Sequence, residues 1–197
     1  MTPTEQTFDI IIAGGGLSGA LAAIALSQIS TQLNKPLSIA VIEKNPLHND
    51  ASKSFDNRVL ALSHASASYL KKLDVWQYLQ TKSQAIATIH ISDREHYGKA
   101  RVYAKEQNVE ALGYVVEMAT IGQALLKKLN NNNKVTWFCP ESINTINWHT
   151  NSVNITLESG KQLKGALLLG CDGAQSQCRQ AANIAVNTKP YQQSALI

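Results

Sequence analysis

The chain has 197 residues, 44% apolar and 16% charged, a balance that excludes a disordered chain and suffices for one sizeable core or one core plus part of a second. The net charge is +4, but Lys and Arg are scattered and pair only at Lys71–Lys72 and Lys127–Lys128, so no basic run tracks a phosphate backbone and no nucleic-acid partner is expected. Three cysteines without C-x-x-C spacing exclude a disulfide framework and a zinc site, and no apolar stretch approaches the roughly 20 residues of a membrane span, so the expectation is a cytoplasmic protein without metal.

In chain order, residues 1–7 are polar and do not read as a leader. Phe8–Ala13 is a short, β-branched apolar run, the pattern of a buried parallel strand. Gly14–Gly16 end it, and Leu17 to about Ser30 reads as a helix, broken at Asn34-Lys35-Pro36. Leu37–Glu43 is a second strand, which completes a βαβ unit and implies a parallel sheet with helices on its faces. Asn45–Asn57 is loop, and Leu60–Leu79 reads as a helix in two pieces with Ser63 as a cap. Ala85–Ser92 alternates as a strand, with Ala100–Tyr103 as its partner. Ile121, Leu125 and Leu129 mark one face of a helix from Thr120, which Asn130–Asn133 end. Val135–Phe138 is a strand, Ile143–Trp148 and Val153–Glu158 form a hairpin turning near Asn151, and Leu163–Leu169 returns after Ser159-Gly160.

Three segments carry chemistry. Gly14-Gly15-Gly16-Leu17-Ser18-Gly19 is a G-x-G-x-x-G between a strand and a helix. Gly14 allows the tight turn, Gly16 lets a pyrophosphate approach the backbone, and Gly19 lets the helix pack on the strand. The anion then meets the free N–H groups and the positive dipole end of the helix, at Leu17 and Ser18. Glu43 follows Gly19 by about two dozen residues, near the expected spacing of about 20. Its carboxylate accepts ribose hydroxyls and disfavours a 2′-phosphate, so FAD or NAD is expected rather than NADP; Lys44 flanks it. The second segment, Leu167 to Arg179, runs from an apolar strand into Asp172-Gly173, where Asp172 either holds a ligand hydroxyl or belongs to an ordinary turn. The third, Phe55 to Ser63, carries Arg58, a phosphate or flavin contact or simply an arginine before a helix. His48, His64, His90, His96 and His149 show no ligand spacing.

In this order, GGGLSG with Glu43, FDNRVLALS and LLLGCDGAQSQCR resemble the class A FAD-dependent aromatic hydroxylases. Within that family the chain is most similar to the ubiquinone-biosynthesis branch, the octaprenyl-methoxyphenol hydroxylases, through Ile89–Gly98, Ala111–Leu129, Thr156–Gly160 and Tyr191–Ile197. The resemblance implies an α/β Rossmann-like FAD-binding fold of the p-hydroxybenzoate-hydroxylase type, over residues 1–84 and 110–185, with fragments of a mixed β-sheet substrate domain at 85–109 and 186–197. It implies FAD as cofactor, with Gly14, Gly16, Leu17, Ser18 and Gly19 at the pyrophosphate, Glu43 at the ribose, and Lys44, Arg58, Gln123 and Asp172 at the cofactor. It also implies NADH or NADPH as electron donor, O2 and a polyprenyl phenol as substrates, other ubiquinone-biosynthesis proteins as partners, and peripheral contact with the inner membrane face. Met118 and Ala119 depart from the polar residues many members carry there. Members also continue past this length into a Gly-Asp motif that holds the rest of FAD, so the resemblance describes a front portion, inactive on its own. The dinucleotide fingerprint by itself equally allows an NAD-dependent oxidoreductase or a non-catalytic Rossmann-like assembly module.

Overall fold

The computed structural model describes residues 5–46, 58–93, 96–130 and 132–193. Their contacts fall into two units, residues 1–49 with 125–197, and residues 50–124.

The first unit is built on a six-stranded mixed sheet. Strand β1 (Gln6–Ala13) is followed by helix α1 (Leu17–Gln32) and strand β2 (Ile39–Ile42), the βαβ unit expected from the sequence. β1 pairs in parallel with β2, and β2 in parallel with a later strand, Val135–Phe138. On its other side β1 pairs in parallel with Gln162–Gly170, which continues antiparallel through Ser152–Leu157 to Ile143–His149. The expected hairpin is therefore the antiparallel flank of a parallel sheet.

Alternation assigns the two faces of this sheet. Ile11, Ala40, Ile42, Phe138, Val153, Ile155, Leu157 and Leu163 form one core cluster. Their neighbours Ile10, Ile12, Ile39 and Val41 are also buried, so both faces of β1 and β2 are covered and the strands read as unbroken apolar runs. Helix α1 buries Gly19, Ala20, Ala23, Ile24, Ser27 and Ser30, a stripe at three- and four-residue spacing made mostly of small side chains. That stripe brings the helix axis close to the sheet, and the α1 N-terminus with it.

The second unit differs from its sequence reading. Residues Val59–Ser63 form strand β3, not the start of a helix. They pair antiparallel with Gly113–Glu117, a strand that sequence patterning did not reveal. The exposure of β3 alternates, with Leu60 and Leu62 the more buried pair; in five residues that period competes with helical spacing, and the distant partner decides. The helix begins only at His64 and runs to Lys72 as α2, with Ser63 as its cap: the Ser63 hydroxyl accepts the Ser66 N–H at 3.1 Å. The second helical piece is a single 3-10 turn, Trp76–Tyr78.

The strand expected over Ala85–Ser92 divides at Ala87 into β4 (Gln84–Ile86) and β5 (Thr88–Ser92). β4 pairs with the 113–117 strand, whereas β5 pairs with β6 (Lys99–Tyr103), as expected for 100–103. In chain order the remaining strands and α-helices are β7 (Gly113–Glu117), α3 (Met118–Leu129), β8 (Val135–Phe138), β9 (Ile143–His149), β10 (Ser152–Leu157), β11 (Gln162–Gly170) and the five-residue helix α4 (Gln177–Ala181). Residues 183–193 form no helix or strand. Among the described residues no helix is long and apolar enough to cross a membrane, and no group of His, Cys, Asp or Glu is placed to hold a metal ion.

Candidate nucleotide-binding site

The carboxyl ends of β1, β2 and β11 lie side by side, and the chain leaves all three at one edge. Backbone bonds continue the pairing past the strands: the Gly14 N–H reaches Ile42 O at 2.8 Å, and the Cys171 N–H reaches Ala13 O at 2.8 Å. The glycine turn, the Glu43 turn and the Asp172 loop are thereby laced together. Between them lies a cavity of about 360 Å³ lined by Gly14, Gly16, Glu43, Lys44, Asn45, Glu141, Ser142, Asp172 and Gln175, among others. A crevice outside the carboxyl ends of parallel strands is where open α/β sheets bind ligands.

Two glycines are required by the chain itself. Gly14 has φ +96°, and a β-carbon there would strike the carbonyl of Cys171. A β-carbon on Gly19 would strike the carbonyl of Gly14, so α1 sits against the turn without room for a methyl group. Gly16 is different: a β-carbon there meets nothing within 4 Å, and its φ of −64° suits any residue. Nothing in the fold demands glycine at this position, and the side chain it omits would project into open space at the mouth of α1.

No side chain caps the α1 N-terminus, and no acidic residue lies in its first turn. Its leading N–H groups, at Leu17 and Ser18, thus lie beside Gly16 without a side-chain cap from the described residues. Glu43 faces them across the turn. Its Oε2 accepts the Gly15 N–H at 2.7 Å and its Oε1 accepts the Asn45 N–H at 2.8 Å. These bonds fix the carboxylate plane and leave each oxygen further lone pairs. The residues present fit the adenosine and pyrophosphate half of a dinucleotide: an anion-binding helix end, a glycine without local necessity, and an oriented carboxylate.

Asp172 lines the same cavity, but both its oxygens are engaged within its own loop. Oδ1 accepts the Ser176 hydroxyl at 2.6 Å and Oδ2 accepts the Cys178 N–H at 3.0 Å. Ser176 in turn caps α4 by accepting the Arg179 N–H at 3.0 Å. Partial burial works against the charge of Asp172, yet the Ser176 hydroxyl and the N–H groups of Cys178 and its neighbours outweigh burial and hold its carboxyl below the ordinary 3.8. Burial, reinforced by the Asp172 charge, pushes the Cys178 thiol up to about 12 and raises Cys171 as well.

A depressed folded-state carboxyl contributes stability that is present above its unfolded value and lost as the pH falls through the folded one. Asp172→Asn is therefore expected to cost about 1 kcal/mol at pH 7, the scale of a lost helix-capping acceptor, and progressively less as the pH falls below the ordinary carboxyl value of 3.8. Urea unfolding at pH 7 and through the acid range below 3.8 checks this, and a gap that stays constant would contradict the assignment.

Of the residues expected from the sequence, Gly14, Gly16, Leu17, Ser18, Gly19, Glu43, Lys44 and Asp172 come together at this sheet edge. Arg58 and Gln123 belong to the unit 50–124 and are exposed. The Arg58 carbonyl accepts the Met118 N–H at 2.8 Å, so the Arg58 segment meets the Ala111–Leu129 stretch by backbone pairing. Phe55–Asn57 of the Arg58 motif lie outside the described residues. Sequence reasoning missed Asn45, Glu141 and Ser142. The first binds Glu43 through its backbone, and the other two reach the cavity because β8 pairs with β2, a non-local contact without a sequence signal.

A family-wide sequence profile described as "FAD binding domain" matches residues 7–195. The chain belongs to the FAD binding domain family. Among curated relatives, the ubiquinone hydroxylase UbiL of Rhodospirillum rubrum is 29% identical over 98% of this chain and 43% of its own length. The 3-demethoxyubiquinol 3-hydroxylase of Escherichia coli is 33% identical over 98% of this chain and 48% of its own length. The chain thus spans about half the length of the curated relatives it matches. Among solved structures, PqsL of Pseudomonas aeruginosa, a probable FAD-dependent monooxygenase, superimposes with a TM-score of 0.72 at 16% identity over 94% of this chain and 48% of that one. The flavin-dependent monooxygenase PieE, in complex with FAD and substrate, gives 0.71 at 14% identity over 92% of this chain and 33% of that one. At such identities the likeness is one of fold, that of the class A flavin-dependent monooxygenases.

Proposed function

We propose that this chain forms the FAD-binding part of a flavin-dependent monooxygenase that hydroxylates a polyprenylated phenol in ubiquinone biosynthesis. The observation that carries the reading is the convergence, at one cavity, of an uncapped helix N-terminus, the vacant side-chain position of Gly16 and the Glu43 carboxylate held by two backbone N–H groups. The substrate class rests on the similarity to the ubiquinone hydroxylase and the demethoxyubiquinol hydroxylase.

Each residue has a role in this reading. The N–H groups at Leu17 and Ser18 bind the pyrophosphate, with Gly14 and Gly19 shaping the turn and Gly16 leaving room for it. Glu43 accepts ribose hydroxyls, and Lys44 adds a cation beside the phosphates. The Asp172 loop walls the cavity and presents its own backbone to the cofactor. Arg58 and Gln123 contribute flavin contacts. Residues 1–84 and 110–185 serve the cofactor, and 85–109 and 186–197 belong to the substrate domain. When bound and reduced by NADH or NADPH, FAD supplies the activation of O2 from which one oxygen atom reaches the phenol ring. A polyprenyl tail draws the protein to the inner membrane face, near other ubiquinone-biosynthesis proteins.

Titration of the protein with FAD, followed by flavin fluorescence and thermal shift, tests the cofactor. Binding of FAD that NADH competes for only weakly is the expected result. Tighter binding of NADH than of FAD would replace this reading with an NAD-dependent oxidoreductase, and no response to either would leave a non-catalytic module.

A further inference from the structure

Behind the nucleotide cavity stands an aromatic residue that neither the glycine fingerprint nor the cavity lining includes. Trp137 lies on β8, in register with Val41 of β2. A β-carbon built on Gly15 would lie 2.6 Å from Cζ3 and 3.2 Å from Cη2 of the Trp137 ring, and 2.9 Å from the β-carbon of Glu43. The indole and the stem of Glu43 thus close the side of Gly15 where a side chain would stand and leave no room for one. The same glycine donates the 2.7 Å hydrogen bond to Glu43 Oε2. The next residue on β8 completes the grip: the Phe138 carbonyl accepts the Glu43 N–H at 3.0 Å.

We propose that Trp137 is a positioning residue for ribose recognition: its ring presses the Gly15 peptide onto Glu43 and so fixes the carboxylate toward the nucleotide. The physical basis is simple. A short charge-assisted hydrogen bond needs its donor held in place, and a glycine has no side chain with which to anchor its own peptide. The benzo ring of Trp137 fills the volume where that anchor would be. With a smaller residue there, the Gly15 peptide is free to tilt, the bond to Oε2 lengthens, and Glu43 samples orientations that face away from the ribose. Trp137 touches no nucleotide in this account and acts through Gly15 and Glu43 alone. The inference rests on the proposed FAD site.

The test uses ADP and 2′,3′-dideoxy-ADP as probes on the protein and on its Trp137→Leu, Trp137→Phe and Glu43→Gln variants, with affinity measured by calorimetry. Trp137→Leu is expected to weaken ADP roughly tenfold, the scale of one charge-assisted hydrogen bond, while dideoxy-ADP binds to wild type and variant alike. Trp137→Phe removes the outer ring atoms but keeps most of the volume; it is expected to show the same selectivity with a smaller loss, and it carries the test if the leucine variant fails to fold. Equal weakening of both probes would mean that Trp137 serves stability alone and would overturn the proposal. Wild-type ADP binding that drops in Glu43→Gln but not in either Trp137 variant overturns it too, and leaves the FAD reading standing. Failure of the wild type to bind ADP or FAD removes both.

Discussion

Gly19→Ala is expected to destabilise the protein by about 3 kcal/mol or more, lowering its melting temperature by roughly 6–12 °C for a chain of this size. The added β-carbon is aimed at the carbonyl of Gly14, a backbone atom that cannot rotate away. Relief requires α1 to lift from the sheet or the Gly14 turn to unwind, and that turn is pinned on both sides by its bonds to Ile42 and Cys171. Because Ala13, Ile12 and Ile11 beneath it are fully buried, movement of α1 opens the centre of the core rather than its rim. Gly16→Ala is the control. Its β-carbon enters open space and its backbone is unstrained, so its melting temperature should match the wild type. In the proposed site the same methyl group intrudes on the pyrophosphate, and FAD affinity falls. Calorimetric melting with and without FAD separates the two glycines: one fails in folding, the other in binding. Wild-type stability of Gly19→Ala would show that the close approach of α1 is not needed.

Glu43→Gln is expected to weaken FAD binding on the order of 10- to 100-fold and to cost about 1–3 kcal/mol of stability besides. The carboxylate accepts one backbone N–H on each oxygen. An amide offers a single oxygen, so either the Gly15 or the Asn45 N–H must face the amide nitrogen, donor against donor. The ribose hydroxyls lose an anionic acceptor as well. Glu43→Asp keeps the charge but shortens the reach, and should recover part of the stability and little of the binding. Flavin fluorescence titration beside urea unfolding reads both quantities. Unchanged FAD affinity in Glu43→Gln would exclude the ribose role.

Where the sequence was readable, and where it was not, follows from how far apart the deciding contacts lie. β1, the glycine turn, α1, β2 and Glu43 span fewer than forty residues, and their hydrophobic period and glycine spacing are written locally. That stretch was legible, including the ends of its elements to within a few residues. β3 and β7 were not, because each takes its strand conformation from the other across about fifty residues. The division of one expected strand at Ala87 escaped notice for the same reason: Gln84–Ile86 and Thr88–Ser92 answer to different partners. In the site, Gly14, Gly19 and Glu43 were found by motif, whereas Trp137 looked like one apolar position in a short strand. Asp172 was legible as a special residue, but its engagement by the Ser176 hydroxyl and the Cys178 N–H depends on how the following loop turns back.

The strand order has a consequence for the life of the nascent chain. β1 is made well before one of its two neighbours, β11, which follows it by about 150 residues, a separation that makes for slow, non-local folding. Until β11 leaves the ribosome, Ile10–Ala13 have a bare edge and the Gly14 turn lacks the Cys171 carbonyl that packs against it. The fingerprint is thus translated early and becomes a cradle late. A nucleotide encountering the growing chain finds its pocket only after Asp172 has emerged, so cofactor capture is tied to the completion of the sheet rather than to the synthesis of the motif.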